Sequence, residues 1–414
     1  MRLNRILIIE MLLLALSSGF QFAQGQTAVS IERATPQHTA IFQADPTVTG
    51  KIALESPKLF EMKRGTYQSW SGGYLTPKVP GFLSTGGSGI YFTGGDIFWP
   101  NIGVGFSDPL VSNDSIYFSL NIGDAHLFAL DRQTGSVKWR SQREQGHYSP
   151  PLIVGDTLCI GADSGNFYAI DLKTAKEKWR HFRPDKSAVG HSPTSDGQRV
   201  YYVATNGTLY ALDAGTGKLT WAIETQDEHV SSLALDGDGH IFFRTGRQLV
   251  SLETESGRRA WTVEIKQNIW LPLAVAHGLI YFRTWEGNIR TIDAKTGALQ
   301  PKPSNDDAQS GTRLAIDKER IYFVGKSRHR AFAIDASTRK VLWEFETYMD
   351  CTAPVVGGET VYIPCYDGRI YALNAATGKL RWRSSAKKPQ LSSPTIASDG
   401  VYFISDDGRV YAIR

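Results

Sequence analysis

Cysteine is scarce in this chain of 414 residues: Cys159, Cys351 and Cys365 are all there is. That is too few for a disulfide-stapled miniature scaffold. No CxxC or HxxxH spacing among the cysteines and nine histidines suggests a zinc site. Charge of one sign is also lacking. The formal net charge is +4 and no block of five like charges occurs, so nucleic acid and anionic membrane surfaces have no support as partners. No Ser/His/Asp order and no GxSxG elbow points to hydrolysis. The one long apolar run, Ile6–Leu16, is too short to span a bilayer, and Glu10 interrupts it.

That run nevertheless carries an address. Arg2 and Arg5 precede it, and Ala23-Gln24-Gly25 follows with small residues at the two positions a signal peptidase reads. We read residues 1–25 as a secretory signal cleaved after Gly25. No cysteine lies near that site, so lipid anchoring is not expected. The mature protein is expected to be soluble and exported, in the periplasm or at the cell surface, with no membrane-spanning segment.

What the chain has in abundance is glycine, 40 residues, and aromatics, 11%. With only four methionines, this favours an all-β chain rich in tight turns. The stretch Asp131–Arg140, DRQTGSVKWR, returns as DLKTAKEKWR at Asp171, DAGTGKLTWA at Asp213 and NAATGKLRWR at Asn374. Seven segments fit the pattern, beginning at Asp131, Asp171, Asp213, Glu253, Asp293, Asp335 and Asn374. Eight residues on stand Trp139, Trp179, Trp221, Trp261, Pro301, Trp343 and Trp382. A period near 40 residues is that of a four-stranded propeller blade.

Each period also holds a hairpin, as in VYYVATNGTLYALD from Val200 to Asp213. Asn-Gly or Asp-Gly at the tip tolerates the positive φ of a type I′ turn. Eight hairpins start at Ile116, Leu158, Val200, Ile241, Ile280, Ile321, Val361 and Val401. Seven residues before five of them lies a proline, Pro109, Pro151, Pro193, Pro354 or Pro394, which marks the start of an innermost strand. In the phrase itself, the Asp accepts N–H groups of the turn, Gly supplies a left-handed conformation, and the Trp wedges between neighbouring sheets.

The eighth hairpin ends at Arg414 without an outer strand. Near the mature N-terminus, DPTVTGKIALE (Asp45–Glu55) repeats Thr-Gly-Lys and places Leu54 at the Trp position. We therefore expect an eight-bladed β-propeller of four-stranded antiparallel blades, its ring closed by an N-terminal strand. The expected division is a signal at 1–25, a segment with the ring-closing strand at 26–55, an irregular Gly-rich segment at 56–106 and the propeller at 107–414. The irregular segment includes Trp70 and Trp99.

LYALDAGTGKLTWA and its copies resemble the PQQ-type repeat of quinoprotein-like β-propellers, over roughly Ser107–Arg414. The resemblance implies that the repeat tryptophans dock blades together. It also implies one of two functions. Some members are alcohol or sugar dehydrogenases holding PQQ and Ca²⁺ over the central channel. Others, such as the BamB-type subunit of the bacterial outer-membrane assembly machine, use the propeller as a binding scaffold. The dehydrogenases carry a vicinal Cys-Cys pair, which this sequence lacks, and no acidic and amide cluster stands out as a Ca²⁺ cage. The expectation is a non-catalytic, monomeric scaffold without a cofactor, binding protein or peptide partners in the cell envelope. A PQQ-dependent dehydrogenase is the alternative, and a glycan-binding propeller, suggested by the exposed aromatics, comes third.

Candidate partner-binding residues lie where the repeat fails. Trp285 occupies the hairpin tip RTWEGN, flanked by Arg283 and Arg290, a hot-spot composition. Packing against a neighbouring loop is the other reading of it. Trp270 is also out of the repeat position. His147 and His191 each precede an innermost strand, at the channel mouth, where a binding role competes with a loop hydrogen bond. The polar loop Pro303–Gln309 adds to the fifth blade's irregularity. Asp236-Gly237-Asp238-Gly239-His240 has the start of a Ca²⁺ loop but too few ligands, and reads as a turn. Gly86-Gly87-Ser88-Gly89 lacks the Lys and helix of a phosphate loop. Cys351 and Cys365 are equidistant from Gly358, so they oppose each other in an antiparallel pair. A disulfide and two buried thiols are both open. Cys159 reads as a small core residue.

Overall fold

The structure, a computed structural model, describes residues 105–414 except 113, 122–124, 142–146, 190, 226, 228–229, 302–309, 326–328, 348, 385–391 and 406–407. Ahead of them it describes three strands, Ile52–Glu55, Tyr67–Ser69 and Leu75–Pro77. The signal at 1–25, Trp70, Trp99, the glycines at 86–89 and the 303–309 loop lie outside the described residues.

Every described element is a strand, and eight antiparallel sheets follow one another around a ring. Blade 1 has its innermost strand in two pieces, Gly105–Phe106 and Leu110–Val111, then Ser115–Asn121, His126–Asp131 and the outer Val137–Arg140. The pattern repeats to blade 8, which consists of Thr395–Ala397, Gly400–Ile404 and Val410–Ile413, completed by Ile52–Glu55. The N-terminal strand thus closes the ring, with Leu54 opposite Ala412. That is the register at which Trp139 opposes Ala129 and Trp382 opposes Ala372.

Burial follows from the radial arrangement. Second strands are covered by neighbouring blades on both faces, so Ser115–Asn121 and Thr157–Gly161 are buried at every residue. Outer strands such as Val137–Arg140 are mostly exposed. Among the described residues, eight apolar clusters each join two adjacent blades, from Tyr117 with Leu158 between blades 1 and 2 to Phe118 with Tyr402 between blades 8 and 1. The core is therefore a set of inter-blade wedges.

The repeated phrase works as its chemistry suggests. Asp131 Oδ1 accepts the N–H groups of Gln133 and Thr134 at 3.0 and 2.8 Å and the Thr134 hydroxyl at 2.9 Å. Trp139, Trp179, Trp221, Trp261 and Trp343 each donate Nε1–H across a junction, to the carbonyls of Leu172, Ala214, Thr254, Ala294 and Ala375 at 2.9–3.0 Å. Trp382 packs against Tyr362, 5.8 Å between centroids. Every Trp strand carries a bulge just before the ring, as between Ala129 and Leu130, which turns the indole towards the next blade. Gly217 has a φ of +70°, and a Cβ there would lie 2.4 Å from the Trp179 ring. Glycine thus serves both the turn and the close approach of the preceding blade.

Blade 5 departs. Its sheet has three strands, Ile269–Ala276, Leu279–Thr284 and Ile289–Asp293, and its outer edge is a single bridge, Ile292 to Leu299, among the described residues. Pro301 stands at the Trp position, where it has no N–H to give a ladder.

The innermost strands are interrupted in a regular way. Hydroxyls of Ser107, Ser149, Ser231, Thr312 and Ser392 accept the N–H of Ser119, Gly161, Arg244, Val324 and Ile404 at 2.8–3.0 Å. The proline of each Ser-Pro-type segment then opens the short paired stretch, as Pro151 does before Leu152–Val154.

Candidate partner-binding face

Strand alternation gives the ring two unlike faces. One carries the DxxTG turns and the turns between first and second strands, all short. The other carries the hairpin tips and every blade-to-blade connection. The N-terminal strand runs antiparallel to Val410–Ile413, so the chain leaves blade 8 at Glu55 and enters blade 1 at Gly105 on this second, loop-bearing face.

Trp285 lies at the tip of the blade 5 hairpin, 43% exposed. Its backbone is fixed: Trp285 N–H donates to Asn268 O at 3.1 Å, and Thr284 and Gly287 close the turn. Ser310 N–H donates to Gly287 O at 2.9 Å, tying the tip to blade 6. Arg283 is not beside Trp285 at the surface. It is buried and donates Nη1–H to Ser310 O at 2.8 Å. Burial lowers its pKa to about 10, so it stays charged at neutral pH as an internal brace. The strand's end is the reason: Arg283 still pairs with Ile289 inside the sheet, whereas Trp285 lies beyond Thr284 in the turn. Arg290 is half-buried on the third strand opposite Phe282, and Trp270 pairs in register with Arg283 on the innermost strand.

His147 and His191 do not join Trp285. Asp163 accepts both the His147 backbone N–H and its Nδ1 at 2.8 Å, and this raises the imidazole pKa. His191 occupies the place where other blades have the bonded hydroxyl. Burial lowers its pKa, partly opposed by a backbone hydrogen bond at Val230. Both histidines are loop fasteners in blades 2 and 3.

Cys351 and Cys365 form an isolated antiparallel bridge with Cα atoms 3.9 Å apart and are joined by a disulfide. Beside them, Tyr366 N–H donates to Asp350 O at 2.8 Å, and Tyr366 and Met349 are as exposed as Trp285. These two apolar side chains escaped the sequence reading, although an aromatic at the hairpin tip CYDG, where other blades place polar residues, was a signal. Cys159 is buried, and burial pushes its thiol up to about 12, so it is inert.

The residue after each bonded hydroxyl takes one equivalent place per blade: Asp108, Pro150, Ser232, Arg313 and Ser393. Ser393 N–H donates to Asp108 Oδ1 at 2.7 Å, and Arg313 Nη2–H donates to Ser393 Oγ at 2.7 Å. Among the described residues, side chains of blades 1, 6 and 8 meet in this way at the inner rim, around the central channel. Enclosure raises the Asp108 pKa, and Arg313 opposes the rise. Asp236 accepts Asp238 N–H, His240 N–H and His240 Nδ1 at 2.7–3.0 Å, so that loop is a closed turn. Among the described residues, no three His, Cys, Asp or Glu side chains are grouped to hold a metal ion. Nor is any helix long and apolar enough to cross a membrane.

The sequence profile of the family described as outer membrane protein assembly factor BamB matches residues 92–183, 216–351 and 286–414, together more than half of the chain. The BamB protein of Burkholderia pseudomallei is 26% identical over 59% of this chain and 67% of its own length. Quinohemoprotein alcohol dehydrogenase of Comamonas testosteroni is 21% identical over 69% of this chain but only 38% of its own length. The crystal structure of BamB from Moraxella catarrhalis superposes with a TM-score of 0.56 at 20% identity, covering 74% of this chain and 93% of that one. At that identity the likeness shows the fold alone.

Proposed function

The chain belongs to the outer membrane protein assembly factor BamB family, and from that premise we propose that it is an exported, non-catalytic scaffold. It holds protein or peptide partners of the bacterial cell envelope through its loop-bearing face. One observation carries the reading: of the exposed apolar side chains on that face, Trp285, Met349 and Tyr366 stand on hydrogen-bonded backbone in blades 5 to 7, with Phe182 exposed on blade 2. An aromatic side chain pre-positioned by buried hydrogen bonds loses little entropy on docking. The residues that titrate or react are committed to structure, Cys159 by burial and His147 by Asp163.

The alternative, a PQQ-dependent dehydrogenase, has support from the Comamonas relative. PQQ with Ca²⁺ would need a cluster of oxygen ligands at the channel. Among the described residues the collar instead offers one carboxylate, Asp108, already bonded to Ser393 and facing a cation, Arg313. This donor set does not fit the group, and we derive no reaction step through it.

The test has two arms. Immobilised protein should retain a specific partner from envelope extract, and Trp285→Ala should lose it while remaining folded. Adding PQQ and Ca²⁺ should leave absorbance and melting temperature unchanged. Tight PQQ binding with dye-linked oxidation of an alcohol or sugar would overturn the scaffold.

A further inference from the structure

Two junctions lack the tryptophan wedge, blades 5/6, where Pro301 stands, and blades 8/1, where Leu54 stands. In both, an arginine from the following blade covers the tyrosine that a tryptophan packs against elsewhere. Arg339 lies over Tyr281, 5.0 Å from the ring centroid, and Arg132 over Tyr402 at 5.4 Å. Arg339 takes the phrase's glycine position at a φ of +61°, and both arginines are buried.

The closing junction goes further. Arg132 donates Nε–H to Tyr402 Oη at 2.9 Å and Nη1–H to Ser112 O of its own blade at 2.7 Å, and its Nη2 bonds the Asp399 carboxylate. Arg414 reaches the same group: Nη2 to Asp399 Oδ2 at 2.9 Å, Tyr402 Oη at 3.1 Å and Arg132 O at 3.4 Å. Arg132 O is the counterpart of the five carbonyls that accept a tryptophan N–H in other junctions. At the inner rim the same two blades are tied by Asp108 and Ser393, with Arg313 behind. Blades 8 and 1 are thus held at both radii by charged groups.

We propose that the closing junction is an ionic latch, so that the ring opens between blades 8 and 1 as ionic strength rises, before any tryptophan-wedged junction does. Asp399 stands between the guanidinium groups of Arg132 and Arg414: salt weakens both attractions, and removing the carboxylate leaves the two cations unneutralised. Its side chain is 40% exposed, so salt reaches it. The Debye length falls from about 10 Å at 0.1 M to about 3 Å at 1 M. A tryptophan wedge has no comparable salt term, because its stabilisation is burial.

Hydrogen exchange of the full chain, read by mass spectrometry in 0.05 and 1 M NaCl, tests the latch. Peptides covering the strands that face each other across the junction, Ser115–Asn121 of blade 1 and Gly400–Ile404 of blade 8, should exchange roughly tenfold faster at high salt, a tenfold change in opening equilibrium. Peptides from blades 3 and 4 should not change. Asp399→Asn should show the fast exchange already at low salt and lose the salt dependence. Salt-independent exchange at these facing strands, or acceleration of all blades alike, would overturn the proposal. Should Asp399→Asn fail to fold, the salt series on the unaltered chain decides.

Discussion

Replacing Gly217 by Ala isolates the contact on which the repeat depends. The substitution has two separable effects. The first is a left-handed backbone, φ +70°, for a residue with a Cβ, about 1 kcal/mol. Ala175 holds the same conformation at φ +58°, so this part is tolerable. The second is steric: the added Cβ would lie 2.4, 2.5 and 2.9 Å from Trp179 ring carbons. The indole must shift, weakening its 3.0 Å bond to Ala214 O and its packing on Phe167, for about 2 kcal/mol more. Trp179→Ala alone should cost about 3 kcal/mol, the lower end for Trp truncation, since the ring is only partly buried. In that background Gly217→Ala meets no ring and should cost only the backbone part. Urea unfolding of the four proteins, followed by circular dichroism, should give a coupling of about 2 kcal/mol. Additivity within about 0.5 kcal/mol would refute the idea that phrase glycine and preceding tryptophan are one device.

Three further outcomes follow from the same geometry. Denatured, unreduced protein should show one reactive thiol, Cys159, against three after reduction; three before reduction would refute the Cys351–Cys365 bridge. His147 should titrate above 6.5 by NMR, because Asp163 favours the imidazolium. That pair therefore stabilises the fold fully below about pH 6.5 and loses its contribution as pH rises through the elevated pKa; Asp163→Asn should abolish both effects. Asp131, Asp171, Asp213 and Asp293 have pKa values lowered mainly by the turn hydrogen bonds, and Asp335 falls to about 2. Their contribution is present above about pH 4 and lost as pH falls through the lowered values, so the urea midpoint should drop between pH 4 and 2, and a flat profile would contradict the turn bonding.

The repeat made most of the fold readable before any coordinates. Each Asp, Gly and Trp acts within ten residues of its neighbours or at one fixed period, and Leu54 falls in register with Ala412 because it belongs to the same series. The arginines were not readable. Arg132 answers to Tyr402 and Asp399 across some 270 residues, and nothing beside it marks that partnership. Arg283 was misplaced because a loop-tip motif says nothing about which neighbour of Trp285 faces inward. Tyr366 and Met349 were missed because exposure depends on how connections of blades 6 and 7 fold back. The channel collar had a faint signal, Asp108 and Arg313 in a place that blades 2, 4 and 8 fill with Pro or Ser, which becomes legible only once the inner strands are aligned by their hydroxyls.

The central claim is that partners dock on the loop-bearing face. Photo-crosslinking in intact envelopes tests it directly, with a benzoyl-phenylalanine placed singly at Trp285, Tyr366, Lys218 or Lys379. The first two positions lie on the loop-bearing face and the last two in or beside the opposite DxxTG turns. Crosslinks to a discrete protein from Trp285 and Tyr366, and none from Lys218 and Lys379, are the expected result. Crosslinks confined to the DxxTG face would contradict it.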